Sequence, residues 1–476
     1  MKILYATSEA YPFAMSGGLA DVSGALPKAF RRRLVGCRVV MPLYAAVPQE
    51  LREKMTFLTS ITVPVAWRRQ YCGIFEARLN GVIYYLLDNQ YYFNREGLYG
   101  HYDDAERFAF FSRAVLEIIP YIDYKPQIIH CNDWQTALIP VYLKSMYAQN
   151  PAYTDIKTLF TIHNIQYQGK YSHEIIDDVF GVPWEHTWMI EYDGCVNLMK
   201  GAIECADFVN TVSPTYANEI KDPWYSHGLD NILKLHQGKL CGILNGIDTE
   251  VYDPQNDPHI SAAFSADNFA DKAKNKQALQ KELGLPCRGD LPLFAVVSRL
   301  VEHKGFDLVK AVFEDLLKAD IQFAVLGTGE WQYESFFEEM AAKYPNKVVF
   351  RKTFNSPLSH RFYAGADFFL MPSKSEPCGL SQMIALRYGT LPIVRQTGGL
   401  NDTISDCGDG KGNGFTFASY NAHDMLDAIW RALSLYSDTE KHSLVLKRAM
   451  ECDNSWGKSA SVYINLYKSI IRGLAK

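Results

Sequence analysis

Short runs of Val, Ile, Leu and Phe alternate along this chain with longer stretches whose apolar residues recur at three- and four-residue intervals. The short runs predict β-strands and the longer stretches amphipathic helices. In the first half the strand runs are 3–7, 38–41, 83–88, 127–131, 158–162 and 208–212. In the second half they are 293–298, 322–327, 347–350, 368–372 and 391–394. Strands separated by helices predict parallel sheets covered on both faces, and two such series predict two doubly wound α/β domains. The boundary falls at Asn245-Gly246-Ile247-Asp248 and the Pro- and Asn/Asp-rich stretch after it. The chain closes on a predicted helix over 456–476, with Val462, Leu466, Ile470 and Ile471 as its apolar face.

In an open α/β sheet, ligands bind beyond the carboxyl ends of the strands. The second half carries four polar or glycine-rich junctions there. Ser298-Arg299 leads to Lys304-Gly305 after the first strand, placing two cations on one loop. Leu326-Gly327-Thr328-Gly329-Glu330 follows the next. Ser373-Lys374-Ser375-Glu376-Pro377-Cys378-Gly379-Leu380 puts a carboxylate where a strand hands over to a helix, and Thr397-Gly398-Gly399-Leu400 closes the set. Glycine turns backed by a helix N-terminus suit phosphate, and Arg and Lys suit a diphosphate leaving group. A carboxylate cannot stabilise phosphate, so the partner of Glu376 is a neutral group such as a sugar hydroxyl. Each junction alone reads equally as an ordinary loop. Together they read as a nucleotide-diphosphate site.

The first half offers Ser16-Gly17-Gly18-Leu19-Ala20-Asp21-Val22, either an anion-binding turn or a tight strand-to-helix turn with no ligand. It is not the Gly-x-Gly-x-x-Gly fingerprint, which disfavours a nicotinamide dinucleotide. His163 ends the run Thr161-Ile162-His163-Asn164. It is a sugar hydrogen-bonder, an acid–base group, or a structural histidine. Asp133-Trp134 is either a carboxylate beside a stacking ring for a sugar, or a helix cap beside a core aromatic. The block from Glu96 to Phe108, dense in aromatic and polar groups, reads as a glycan groove or an ordered loop.

Composition narrows the class. The 476 residues carry 48 Lys and Arg against 53 Asp and Glu, a net charge of −5, which disfavours nucleic acid as a partner. The ten cysteines are scattered without a Cys-x-x-Cys pair, so free thiols in a reducing compartment are expected and a structural zinc site is not. No stretch has the length and apolarity of a membrane span, and the N-terminus lacks the pattern of a signal peptide. A cytoplasmic protein is expected.

In order and along nearly the whole chain, these segments resemble the starch/glycogen synthase family of retaining glycosyltransferases, in its bacterial form. The resemblance rests on Gly17-Gly18-Leu19-Ala20-Asp21-Val22, Asp133-Trp134, His163-Asn164, Asn245-Gly246-Ile247-Asp248, Ser298-Arg299, Lys304-Gly305, Glu376-Pro377-Cys378-Gly379-Leu380 and Thr397-Gly398-Gly399-Leu400. It implies a GT-B fold: a Rossmann-like domain over 1–247 on the acceptor side, a nucleotide-sugar-binding one over 248–455 across a central cleft, and a helix over 456–476 crossing back to the first. It implies transfer of glucose from ADP-glucose to the non-reducing 4-hydroxyl of an α-1,4-glucan, with retention and with neither metal nor further cofactor.

The resemblance also implies roles. Arg299 and Lys304 neutralise the departing diphosphate, Glu376 holds the donor glucose hydroxyls, and His163 orients the glucose near the reacting carbon. Gly18 and Gly399 leave room for pyrophosphate and sugar. Phe354 stacks on adenine, and Asp21, Asn245, Gly327, Cys378, Gly379, Leu380, Thr397 and Gly398 complete the donor side. Asp133 and Trp134 face the acceptor. Attack is from the front face, with the leaving phosphate taking the acceptor proton. Ile384 stands where related families carry a second glutamate, which disfavours a two-carboxylate mechanism. Met15 stands where the family has Lys before the glycine turn. That departure leaves open a catalytically weak or silent glucan-binding homologue, and a transferase of the same fold using UDP-glucose is a separate alternative, because one aromatic and backbone contacts do not fix the base.

Overall fold

The computed structural model describes residues 1–353 and 355–474 and forms two compact units, Met1–Asn245 with Trp456–Lys476, and Gly246–Ser455. Every apolar run of the sequence is a strand. In the first unit the sheet runs, in spatial order, Leu240–Gly242, Phe208–Thr211, Lys157–Ile162, Ile128–Asn132, Lys2–Ala6, Gly36–Pro42, Val82–Asp88, Arg68–Leu79 and Thr56–Val65. The chain enters at the centre through Lys2–Ala6 and moves outward through Gly36–Pro42. It later returns to the other side of Lys2–Ala6 through Ile128–Asn132. That reversal is a topological switch point, where loops after neighbouring strands part and leave a crevice.

This sheet departs from the all-parallel expectation at one edge. Thr56–Val65 and Arg68–Leu79 form an antiparallel hairpin that pairs onto Val82–Asp88. The turn is only Ala66-Trp67, with Ala66 at φ 49°. A two-residue connection can join only antiparallel strands. The outer strand is largely exposed, so it lacks the continuous apolar run that marks a buried parallel strand.

The second unit holds six parallel strands in the order Val348–Arg351, Gln322–Leu326, Leu293–Val297, Phe368–Met371, Leu391–Arg395, Phe415–Phe417. The chain again starts centrally, at Leu293–Val297, and reverses to Phe368–Met371. Its core is aromatic: Phe294 lies against Phe323 and Phe368, with Phe313 edge-on to Phe323.

The terminal helix, Trp456–Ile471, packs in the first unit against the helix Gly18–Arg32. Its buried face is not the one expected from Val462 and Leu466. Val462 is exposed, and Tyr463, Ile464, Tyr467 and Ile470 point inward. The tyrosines are buried because their hydroxyls find partners. Tyr467 bonds His130 Nδ1 at 2.7 Å, and Asn210 donates to Tyr463 at 3.0 Å. His130 Nε2 bonds Thr161 Oγ1 at 2.6 Å, and that hydroxyl donates to Asn210 Oδ1 at 2.6 Å. The directions follow: Thr161 gives its proton to Asn210, so His130 donates through Nε2, and Nδ1 accepts from Tyr467. Burial holds the His130 imidazole neutral, well below its usual range.

Among the described residues no helix is long and apolar enough to cross a membrane. No group of three or more His, Cys, Asp or Glu among them is arranged to hold a metal ion.

Candidate active site

In the second unit the switch point lies between the loops that follow Leu293–Val297 and Phe368–Met371. These loops carry Lys304 and Glu376, far apart in sequence, and bring them together: Lys304 Nζ donates to Glu376 Oε2 at 2.6 Å. Ser373 Oγ donates to the same oxygen at 3.1 Å. Glu376 is buried, so its charge needs both donors. Arg299, on the same loop as Lys304, is exposed and makes no ion pair among the described residues. His303 sits between them, its pKa lowered by burial and then by the Lys304 charge.

The glycines set how closely these loops approach. A Cβ on Gly327 would lie 1.9 Å from Ser298 O, and one on Gly305, at φ 79°, 2.0 Å from Pro372 O. A Cβ on Gly398 would lie 1.9 Å from Glu376 O, and one on Gly399 2.1 Å from Cys378 O. A side chain does not fit at Gly399, because the space it would take is filled by backbone. Gly398 and Gly399 let the helix Gly398–Thr403 lie against the Glu376–Cys378 segment, and Gly399 N–H donates to Glu376 O at 3.2 Å. Gly379, at φ 71°, turns the chain into the helix Ser381–Arg387 through Leu380, while Cys378 and Thr397 are buried. Phe354 lies outside the described residues.

In the first unit the strand ends at the switch point assemble Asp133, His163, Glu9 and the turn at Gly17-Gly18. Asn132, fully buried, anchors His163 among them. Its Nδ2 donates to Ala6 O at 2.9 Å, so Oδ1 faces Tyr5 and His163. Tyr5 O–H donates to Oδ1 at 3.0 Å, and His163 Nε2 lies 2.9 Å from it. The His163 proton is therefore on Nε2, and Nδ1 keeps its lone pair. Burial pushes the His163 pKa down to about 3, so the ring is a neutral hydrogen-bond acceptor at Nδ1 near pH 7.

Asp133 Oδ1 accepts the backbone N–H of His163 at 2.7 Å, and its carboxyl is pushed up to about 7 by burial against the opposing pull of that amide. Its backbone, at φ 55° and ψ −179°, lies in a region that side chains rarely adopt. The side chain makes no helix-capping bond. Trp134 stands edge-on to Phe108, with ring centroids 5.2 Å apart. Gly169 allows its position, since a Cβ there would lie 2.8 Å from Trp134 Cε3. Trp134 lines a groove of about 460 Å³ with Tyr167, Gln168, Lys170 and His227.

A Cβ on Gly17 or Gly18 would meet nothing within 4 Å among the described residues, so this turn has space for a ligand. Glu9 fixes it, accepting Ser16 N–H at Oε2 at 2.5 Å. Burial pushes Glu9 up to about 7 and Asp21, in the first turn of the following helix, up to about 6. Asn245 Oδ1 is buried without a hydrogen-bond partner among the described residues. Glu9 escapes the sequence reading, and Asn132 and Ser373 stand in its motifs without an assigned role. They act on other protein groups, and their partners are set by the fold. The only signal for each is its place beside or within a motif.

Two family models divide the chain: the starch synthase catalytic domain matches residues 2–235, and glycosyl transferases group 1 matches 280–445. The glycogen synthase of Geobacillus thermodenitrificans is 50% identical over 99% of this chain and 98% of its own length. That of Bacillus cereus (strain ATCC 10987 / NRS 248) is 49% identical over 99% and 100%. The catalytic domain of starch synthase IV from Arabidopsis thaliana, solved bound to ADP and acarbose, superposes with a TM-score of 0.92 at 34% identity, covering 99% of each chain. The sucrose-phosphate synthase of Thermosynechococcus elongatus shares the fold, at a TM-score of 0.63 and 17% identity over 99% of each chain.

Proposed function

Because the chain belongs to the starch/glycogen synthase family of retaining GT-B glycosyltransferases, we propose that it extends an α-1,4-glucan with glucose taken from ADP-glucose. The observation that carries this reading is the Lys304–Glu376 pair at the switch point of the second sheet. One ammonium and one carboxylate within 2.6 Å suit a ligand that is anionic at one end and hydroxylated at the other. A sugar nucleotide is such a ligand.

In this reading Arg299 and Lys304 stabilise the charge that develops on the diphosphate as its bond to the glucose anomeric carbon breaks. Glu376 accepts hydrogen bonds from the donor glucose hydroxyls, and His163 accepts one at Nδ1. Gly18, Asp21, Asn245, Gly327, Cys378, Gly379, Leu380, Thr397, Gly398 and Gly399 shape the donor side. Phe354 is assigned to the adenine. Asp133 and Trp134 present the acceptor, whose 4-oxygen forms the new bond on the face the diphosphate leaves. The acceptor proton passes to the departing phosphate oxygen, so no protein nucleophile is used. Within this reading the reaction needs no cofactor beyond the sugar nucleotide and takes place in the cytoplasm.

The test is ADP release with glycogen as acceptor, comparing ADP-glucose with UDP-glucose. A kcat/KM higher for ADP-glucose is expected. Higher turnover of UDP-glucose overturns the donor assignment. Exposed Met15, in place of a lysine beside the open glycine turn, favours a second reading as a weak or silent glucan-binding homologue. Glycogen binding without ADP release selects it.

A further inference from the structure

The Asp133 backbone, at φ 55° and ψ −179°, occupies a region that glycine enters freely and other residues enter only at a cost. Neighbouring groups hold it there. Asp133 N–H donates to Thr161 O at 3.0 Å. Thr136 Oγ1, fully buried, donates to Asn132 O at 2.9 Å and to Asp133 O at 3.1 Å. A glycine would adopt the same backbone without the cost, so what the aspartate adds at this position is its carboxyl group.

That carboxyl reaches the neighbouring strand end. Its Oδ1 accepts the His163 amide at 2.7 Å, and the Asn164 amide pulls on it in the same sense. The preceding residue reaches the same histidine at its ring, with Asn132 Oδ1 at 2.9 Å from His163 Nε2. Asn132 Nδ2 faces two carbonyls, Ala6 O at 2.9 Å and His130 O at 3.4 Å. Those contacts fix the amide with its oxygen toward the imidazole.

Asn132 is the last residue of its strand and pairs in register with Thr161. Along a regular strand successive side chains point to opposite faces. Residues 132 and 133 would then face away from each other. The positive φ of Asp133 breaks the alternation, and both side chains arrive at His163, one at its ring and one at its peptide.

We propose that Asn132 and Asp133 are positioning residues that act together through His163, and that the strained backbone at Asp133 is what lets two consecutive residues do so. Asn132 holds the ring in the tautomer whose Nδ1 accepts a hydrogen bond. Asp133 holds the peptide that carries the ring, a role beside its facing of the acceptor. The inference rests on the reading of His163 as a hydrogen-bond acceptor for the donor glucose. A ring displaced or in the wrong tautomer slows transfer, because reaction depends on how the donor is oriented.

The test compares variants of the full chain. Asn132→Ser has a side chain too short to reach Nε2. Asp133→Gly keeps the backbone accessible and removes the carboxyl. Asp133→Asn keeps an oxygen for the His163 amide. Steady-state kinetics with ADP-glucose and glycogen are read beside NMR of isotope-labelled histidines, with the His163 signals assigned by their loss in His163→Gln. Wild type is expected to show His163 protonated at Nε2 alone, and Asn132→Ser a mixture of both tautomers. Asn132→Ser and Asp133→Gly should each lower kcat by about 10-fold or more. Asp133→Asn should restore most of what Asp133→Gly loses. A single Nε2–H tautomer in Asn132→Ser overturns the proposal, as does a kcat within about two-fold of wild type in either Asn132→Ser or Asp133→Gly. So does an Asp133→Asn no more active than Asp133→Gly, which would make the acid, and not its contact with the amide, the function of Asp133. A wild-type protein that releases no ADP from ADP-glucose, yet shows the fixed tautomer and its loss in Asn132→Ser, overturns the transferase reading and leaves the hold on His163 standing.

Discussion

Lys304 and Glu376 stand on loops 72 residues apart and meet through a 2.6 Å contact between Nζ and Oε2. The pair is largely shielded from water, so removing one partner leaves the other buried without its hydrogen bond. Lys304→Met is expected to lower kcat/KM for ADP-glucose by about 10²-fold or more. It should also destabilise the protein by about 1–3 kcal/mol by leaving the Glu376 charge short of a donor. Adding Glu376→Gln should return most of the lost stability but none of the activity. Urea titrations and steady-state kinetics on the single and double variants check both. Wild-type kinetics in Lys304→Met would remove the pair from the transfer site.

Asp133 gives a prediction in pH. Its carboxyl is raised from 3.8 to about 7, chiefly by burial. Between those values the folded chain keeps a proton that the unfolded chain has lost, so this residue's contribution to stability falls as pH rises from about 4 to about 7 and is level above that. Asp133→Asn keeps an oxygen for the His163 amide and removes the titration. The melting temperature of the variant relative to wild type should therefore climb between pH 5 and pH 8, by roughly 2–4 °C for each kcal/mol. A difference flat across that range would show that Asp133 is already ionised at pH 5.

The terminal helix can be tested through its hydroxyls. Tyr467→Phe leaves His130 Nδ1, fully buried, without its donor at 2.7 Å, and should cost about 1–3 kcal/mol. Val462→Ser, on the exposed face of the same helix, should change stability by less than about 0.5 kcal/mol. Chemical denaturation separates the two. Equal effects would contradict the orientation of the helix.

Met15 occupies the loop just before Gly17 and is 44% exposed. A lysine there adds a mobile cation beside the open glycine turn. Met15→Lys should raise kcat/KM for the sugar nucleotide by about 10-fold, the scale of a charge-assisted contact. An unchanged or lower value, with circular dichroism intact, would show that the missing lysine does not limit this site.

The sequence by itself determined the strands, because a strand buried on both faces must read as a continuous apolar run, and the runs at 293–298 and 368–372 do. It also marked Lys304, Glu376, Asp133 and His163, because strand-end loops of an α/β sheet display their polar residues where ligands bind. The hairpin Thr56–Val65 and Arg68–Leu79 escaped that reading because a half-exposed edge carries no such run. The tail shows the same limit. Helical spacing offered Val462 and Leu466 as the inward face, but Tyr463 and Tyr467 turn inward because His130 and Asn210 are there to satisfy them. Only tertiary structure decided that Gly399 makes room for Cys378 O, that Asn132 fixes the His163 proton on Nε2, and that Lys304 reaches Glu376. Each of these depends on which backbone or side chain arrives from a distant strand. Local pattern encodes the burial of one element, and only the strand order brings together the partners of a buried polar group.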